Sequence, residues 1–132
     1  MIAAVADTHT AVWYLFNNPK RSAEALRAIE EAFRAGDQIG VSSISLVEMV
    51  YLAEGRIPSS AVQDLIHALL NPEYPLHELP VDALIAEHMV SIGREEVPDM
   101  PDRIVAATGI RHRVPVISRD RKIRATLLQT IW

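Results

Sequence analysis

Apolar and small residues fill the chain from Ile2 to Ala6, and the run stops at a single carboxylate, Asp7. The run is too short for a helix, and a stretch apolar on both faces marks a buried parallel strand. Asp7 then falls at the strand's carboxyl end, where open α/β sheets bind ligands. A short apolar helix is expected from Ala11 to Phe16, stopped by Asn17-Asn18-Pro19. Ser22 is placed to cap a helix running to Ala35, with Leu26, Ile29 and Phe33 as its buried stripe and Gly36 ending it. Gln38 to Ser42 reads as the second strand. Ser43 or Ser45 then opens a helix in which Ile44, Leu46, Val47, Met49, Val50, Tyr51, Leu52 and Ala53 surround one carboxylate, Glu48. A helix apolar nearly all round is expected to be buried.

Beyond the break at Gly55 to Pro58, Ser60-x-x-Gln63 has the form of a capping box, and Val62, Leu65, Ile66 and Leu69 follow on one face. Leu76 to Leu79 is the third strand; an amphipathic helix covers Val81 to Ile92, with Leu84, Ile85, His88, Met89 and Ile92 toward the core. The charged, proline-bearing loop Arg94 to Pro101 is the candidate for a mobile lip, and it leads into Asp102 and the helix RIVAATGIRH. Val114 to Ile117 is the fourth strand, with Asp120 just past its end. A basic helix is expected over Arg121 to Leu128 and a short edge strand over Thr130 to Trp132. Strands and helices alternate throughout, which predicts an α/β fold, a central parallel sheet of four to five strands and right-handed crossovers.

The chain's 132 residues fit one domain, 1–132, and 49% hydrophobic residues suit a sheet covered on both faces, with room for an apolar oligomer interface. No apolar run is long enough to span a membrane, and no basic segment precedes the first apolar run, so no signal peptide is expected. The absence of cysteine excludes disulfides and thiolate metal sites and fits a cytoplasmic protein. The net charge of −4 hides an asymmetry: residues 1–102 carry −10 and residues 103–132 carry +6. A basic C-terminal segment on an acidic chain is a hint of a polyanion-facing surface, though two solvated helices would give the same pattern.

Asp7, Asp102 and Asp120 each lie at a strand end or helix start, and Glu48 lies inside an apolar helix. Taken singly, Asp102 reads as a helix cap, whereas Glu48 reads as a metal ligand, with a carboxylate that snorkels out or pairs with an arginine as the alternative. Gathered at one sheet edge they would repel: two unit charges ~4 Å apart cost roughly 4 kcal/mol at an effective dielectric near 20. Such a cluster calls for a cation, and an oxygen-only ligand set points to Mg²⁺ or Mn²⁺, ions that bridge phosphate oxygens and acidify bound water. Asp82 imitates the pattern in VDALIA, but it precedes the helix after the third strand and reads as a cap. Of the histidines, His9 is near enough to touch a substrate; His67, His77, His88 and His112 show no ligand spacing.

Four blocks, AVADTHTAVWYL, VSSISLVEMVYL, PDMPDRIVAATG and VISRD, occur in one order over essentially the whole chain. In these blocks the sequence resembles PIN-domain ribonucleases, and among them VapC-type toxins of toxin–antitoxin pairs. The resemblance implies a three-layer α/β/α PIN fold and a metal-dependent endoribonuclease. It places the catalytic, metal-holding acids at Asp7, Glu48, Asp102 and Asp120, and supporting hydroxyls at Thr8, at Ser42 or Ser43, and at Ser118. Arg103, Arg119 and Arg121 are candidates for holding the RNA backbone. A homodimer and a cognate antitoxin that blocks the cleft are also implied. Met100 and Pro101 depart from the subgroup's usual Pro and aromatic, which alters a loop and not the acids. A haloacid-dehalogenase-like phosphatase would need a second Asp where His9 stands, and a receiver domain would need an acidic pair after the first strand. A catalytically silent PIN-fold interaction module remains the alternative, argued against by the intact acids.

Overall fold

A computed structural model describes residues 1–126 and 129–132. Among them the chain forms β1 (Ile2–Ala6), α1 (Thr8–Leu15), α2 (Ala23–Arg34), β2 (Gln38–Ser42), α3 (Ser43–Ala53) and α4 (Ser60–Leu70). There follow β3 (Leu76–Leu79), α5 (Ala83–Met89), α6 (Met100–His112), β4 (Val116–Ile117), α7 (Arg121–Arg124) and β5 (Thr130–Ile131). The five strands make one sheet in the order β3-β2-β1-β4-β5, every neighbouring pair parallel.

The period of two along each strand sends side chains to two separate cores. Ala4, Ala6, Ile39, Val41, Leu76 and Ile117 pack beneath α1, α2, α3 and α4. Val5, Leu79 and Val116 pack on the opposite side with Ile85, Ile104, Val105 and Ile123 of α5, α6 and α7. This is the expected three-layer arrangement, with apolar strand residues buried on both faces. The chain winds from β1 to β2 and β3 on one side, then returns to place β4 on the other side of β1. The crevice between the carboxyl ends of β1 and β4 is therefore the topological switch point.

Capping side chains account for most of the helix starts. Ser22 accepts the Ala25 N–H at 3.0 Å, Ser42 accepts the Ile44 N–H at 3.2 Å, and Asp82 accepts the Ile85 N–H at 3.1 Å, the capping role expected of it. Gly36, at φ +82°, lies just past α2, a conformation that suits glycine. Several expectations change. The first helix begins at Thr8 rather than Ala11, because Asp7 caps it. The capping box at Ser60 does not form: Ser59 stands at the N-cap without a side-chain hydrogen bond. The helix expected over Val81 to Ile92 is shorter, and Leu84 is exposed. Phe33 is exposed while Ala25, Ile29 and Ala32 form the buried stripe of α2. The last helix ends at Arg124; the remainder of its expected span includes Leu127 and Leu128, which lie outside the described residues.

The largest correction concerns α3. Val47, Val50 and Tyr51 are 50%, 45% and 73% exposed, so the helix is half-surface rather than buried all round. Only Ser45 and Met49 are fully buried in it. Its apolar outer face lines a groove that includes Met100 and Pro101 of α6. No helix among the described residues is long and apolar enough to cross a membrane.

Candidate active site

The switch point is built from backbone outward. β1 and β4 pair Ala6 with Ile117, and the Asp7 N–H donates to the Ile117 carbonyl at 3.1 Å. Asp7 is thus pinned at the strand end and is only 5% exposed. Its Oδ1 accepts the Thr10 N–H at 2.9 Å, capping α1, and its Oδ2 accepts the Ser118 hydroxyl. The Thr10 hydroxyl donates to the Ile117 carbonyl at 3.0 Å, tying the first turn of α1 to β4. The buried carboxylate therefore has a donor on each oxygen, which such a group needs.

Glu48 reaches the same region from α3. Its Oε1 accepts the Thr8 hydroxyl, and the Thr8 Oγ1 lies 2.8 Å from the Ser45 Oγ. Thr8 has a single hydroxyl proton and donates it to Glu48, so Ser45 donates to Thr8. This relay fixes the carboxylate's orientation. Burial pushes the Glu48 carboxyl above its ordinary value, the Thr8 bond opposes that, Asp99 and Asp7 raise it further and His9 lowers it. Ser43, expected to support the acids, is turned elsewhere: its Oγ accepts the Val81 N–H at 3.1 Å. Ser45 holds the relay instead.

Asp102 stands in the first turn of α6, but it is not the cap. Asp99 is, with its Oδ1 accepting the Asp102 N–H at 3.1 Å. Relieved of capping, Asp102 joins Asp7 and Asp120 in one cleft of about 310 Å³. Its carboxyl is pushed up to about 7 by burial first, then by the negative charges of Asp99, Asp120, Glu48 and Asp7. Asp120 caps α7 through Oδ1, accepting the Lys122 and Ile123 N–H groups at 2.9 and 3.0 Å, and its own N–H donates to Ser118. The Ser118 hydroxyl oxygen thus links Asp120's backbone to Asp7's carboxylate.

The four expected acids therefore converge on one region, three in the cleft and Glu48 on its α3 side, lining the adjoining groove. Among the described residues no three acid or histidine side chains stand close enough together to hold a metal ion directly. Among the same residues, none of the four is in an ion pair with lysine or arginine; the ion pairs present are Met1–Asp37 and Arg34–Glu30. Two groups at this site were not legible as functional from their types alone. Asp99 adds a fifth negative charge, signalled only by the D-x-x-D spacing that puts two carboxylates on one turn. Ser45 is one of three serines near Glu48, and side-chain direction alone singles it out.

The cationic candidates are placed differently from one another. Arg119 lines the acidic cleft together with Lys20 and lies with its guanidinium carbon 5.7 Å from the Trp13 ring centre. Arg103 is half-buried and donates from Nη2 to the Met89 carbonyl at 2.8 Å, bracing α6 against the end of α5. Arg121 is exposed at the start of α7.

A PIN-domain family model matches residues 4–126. Ribonuclease VapC22 of Mycobacterium tuberculosis (strain ATCC 25618 / H37Rv) is 27% identical over 125 residues, covering 95% of this chain and 92% of that protein. Among solved structures, VapBC2 from Rickettsia felis bound to a DNA fragment from its promoter superposes with a TM-score of 0.72 at 18% identity, over 98% of this chain and 97% of that one. A toxin–antitoxin complex from Klebsiella pneumoniae superposes with a TM-score of 0.66 at 26% identity, over the same shares of the two chains. Strand order, the acids at the switch point and the match over 4–126 together place the chain in the PIN-domain family.

Proposed function

We propose that residues 1–132 form one PIN domain acting as a metal-dependent endoribonuclease, the toxin of a toxin–antitoxin pair working in the cytoplasm. The observation that carries this reading is a group of carboxylates, Asp7, Glu48, Asp102 and Asp120, that sense one another's charge and have no paired lysine or arginine among the described residues. The oxygen donor set suits a hard divalent cation, Mg²⁺ or Mn²⁺, which these acids would hold in part through water. Bound there, such an ion supplies Lewis-acid polarisation of a phosphate and a water acidic enough to attack it.

The chain's own groups do the positioning. Thr10 and Ser118 hold Asp7, and the Ser45–Thr8 relay holds Glu48. Their role is that of groups behind a metal ligand, fixing its direction. Lys20 and Arg119 at the cleft put positive charge beside the acids, where an RNA backbone would pass. The partner reading rests on the exposed Val47, Val50 and Tyr51 and on the groove that Val47 and Tyr51 line with Glu48. An antitoxin segment laid there would cover apolar surface and close off an acid at once. The homodimer reading is supported only by further exposed apolar surface, which includes Leu84 and Val90.

The test is cleavage of a mixed structured RNA by the purified chain with Mg²⁺, with Mn²⁺ and with EDTA, beside Asp7→Asn, with product ends typed. Attack by water leaves 5′-phosphate and 3′-hydroxyl ends. Cutting that needs the cation, disappears in the variant and leaves those ends is the expected result. Cutting that survives EDTA, or leaves cyclic phosphates, refutes the metal mechanism.

A further inference from the structure

Beside the acidic cleft lies a second hollow, of about 510 Å³, between α1 and the turn joining α3 to α4. We propose that it is a nucleobase pocket, taking one unstacked base of the RNA strand whose backbone crosses the acids; this rests on the ribonuclease reading above.

Continuity is the first argument. His9, Trp13 and Lys20 line both the hollow and the acidic cleft, so the two spaces share a wall. The second is the chemistry of the lining. Trp13 of α1 and Phe16 at its C-cap give it aromatic surface, while Arg56 and Asp64 bring polar groups from the opposite side. A flat, apolar heterocycle with a polar edge fits such a lining, and the volume lies in the range of small-ligand sites. The third is the placement of charge. Arg119 is at the Trp13 ring and Lys20 at the shared wall, so cations flank the route from pocket to acids, as a strand with phosphates on both sides of its base requires. An apolar side chain from a protein partner would make no use of them.

The fourth is the rigidity of the platform. The Trp13 ring is braced by His9 at 5.5 Å and by Trp132 at 5.8 Å, both tilted. Sequence-specific reading of RNA works on splayed bases stacked against aromatic rings, and a fixed ring loses little freedom when a base arrives. Trp13 also lies on α1, the helix that Asp7 caps, so a base held there sets which phosphate meets the acids.

The experiment uses the full chain and an oligoribonucleotide that it cuts, each nucleotide near the cut replaced in turn by an abasic ribose. One position beside the cut is expected to lose about tenfold in apparent affinity on base removal, the scale of a base–aromatic stack. That penalty should vanish in Trp13→Ala and persist in part in Trp13→Phe. A second readout needs no cleavage: in Asp7→Asn with EDTA, the intact oligonucleotide should quench tryptophan fluorescence saturably and the abasic one should not. Equal abasic penalties in wild type and Trp13→Ala overturn the proposal, as does a Trp13→Ala chain that cuts RNA normally but fails to bind an antitoxin peptide. If Trp13→Ala does not fold by circular dichroism, Trp13→Phe and Phe16→Ala carry the comparison. If the wild type cuts no RNA, the ribonuclease reading fails by itself; homopolymeric RNAs in the fluorescence titration then decide the pocket, and absence of quenching overturns it.

Discussion

Asp102 is the residue at which burial and charge act in the same direction. Its carboxyl, ordinarily near 3.8, is pushed up to about 7. The unfolded chain releases this proton near its ordinary value, while the folded chain keeps it until about pH 7. Between those limits the folded state binds more protons, so stability without a divalent cation falls as pH rises toward 7, and the deficit persists above it. Asp102→Asn in EDTA should therefore melt higher than wild type at pH 8, with a smaller gain at pH 4, as followed by circular dichroism. The same variant should lose cleavage altogether. Unfolding of the variant at pH 8 would instead assign Asp102 a structural role. For the relay, Thr8→Val removes the proton donated to Glu48 and leaves a similar volume. A loss of about 10–100-fold in cation affinity is expected, the usual cost of losing a group behind a metal ligand, with Thr8→Ser close to wild type. Cation titration read through protein fluorescence would check it.

At the scale of elements, the helix starts separate capping from chemistry. Asp82 and Asp99 each accept an N–H three residues on, whereas Asp102 accepts none of the described cap bonds. Asp82→Ala should cost about 1 kcal/mol in urea unfolding, the usual value of an N-cap, and leave RNA cleavage unchanged. A fall in cleavage would make the VDALIA block part of the site. Gly40 illustrates the opposite constraint, where a strand admits no side chain. A Cβ there would lie 2.2 Å from the Leu79 Cδ1 and 3.0 Å from its Cγ, in the core under β2 and β3. Gly40→Val should destabilise by about 1–3 kcal/mol, the ordinary cost of overpacking, measured as a lower urea midpoint.

At the scale of the whole molecule, charge is distributed for a polyanion despite the net value of −4. On the proposed function, the acids of the first part of the chain would need a cation before RNA could approach, and the cations of the last part would supply attraction only where they reach the cleft. Of the three arginine candidates, Arg119 lines the cleft and Arg103 is engaged with Met89. Arg119→Ala should weaken RNA binding more than Arg103→Ala, and its binding should show a shallower dependence on salt. Equal effects of the two would mean that the backbone passes over α6 instead. Filter binding of an uncut oligonucleotide at several salt concentrations distinguishes these outcomes.

What the sequence determined by itself is local or periodic. The apolar run of β1, the spans Gln38 to Ser42 and Leu76 to Leu79, the Ser22 cap and the capping role of Asp82 follow from side-chain period and turn chemistry, which act over a few residues. The four acids stood out as candidates because three were single carboxylates at a strand end or helix start and Glu48 was the one charge inside an apolar helix. Tertiary structure decided everything that depends on direction. Whether Ser43 or Ser45 reaches Thr8 turns on which way α3 leaves β2, and whether Asp99 or Asp102 caps α6 turns on a shift of one helical turn. The outer face of α3 looked buried because its composition is apolar, but composition does not say which neighbours exist to cover a face; none among the described residues covers Val47, Val50 and Tyr51 fully. The second hollow, too, joins α1 to α4 across more than forty residues of chain. Its walls mix aromatic, apolar and charged residues of separate elements, and only their closure beside the acids makes a pocket.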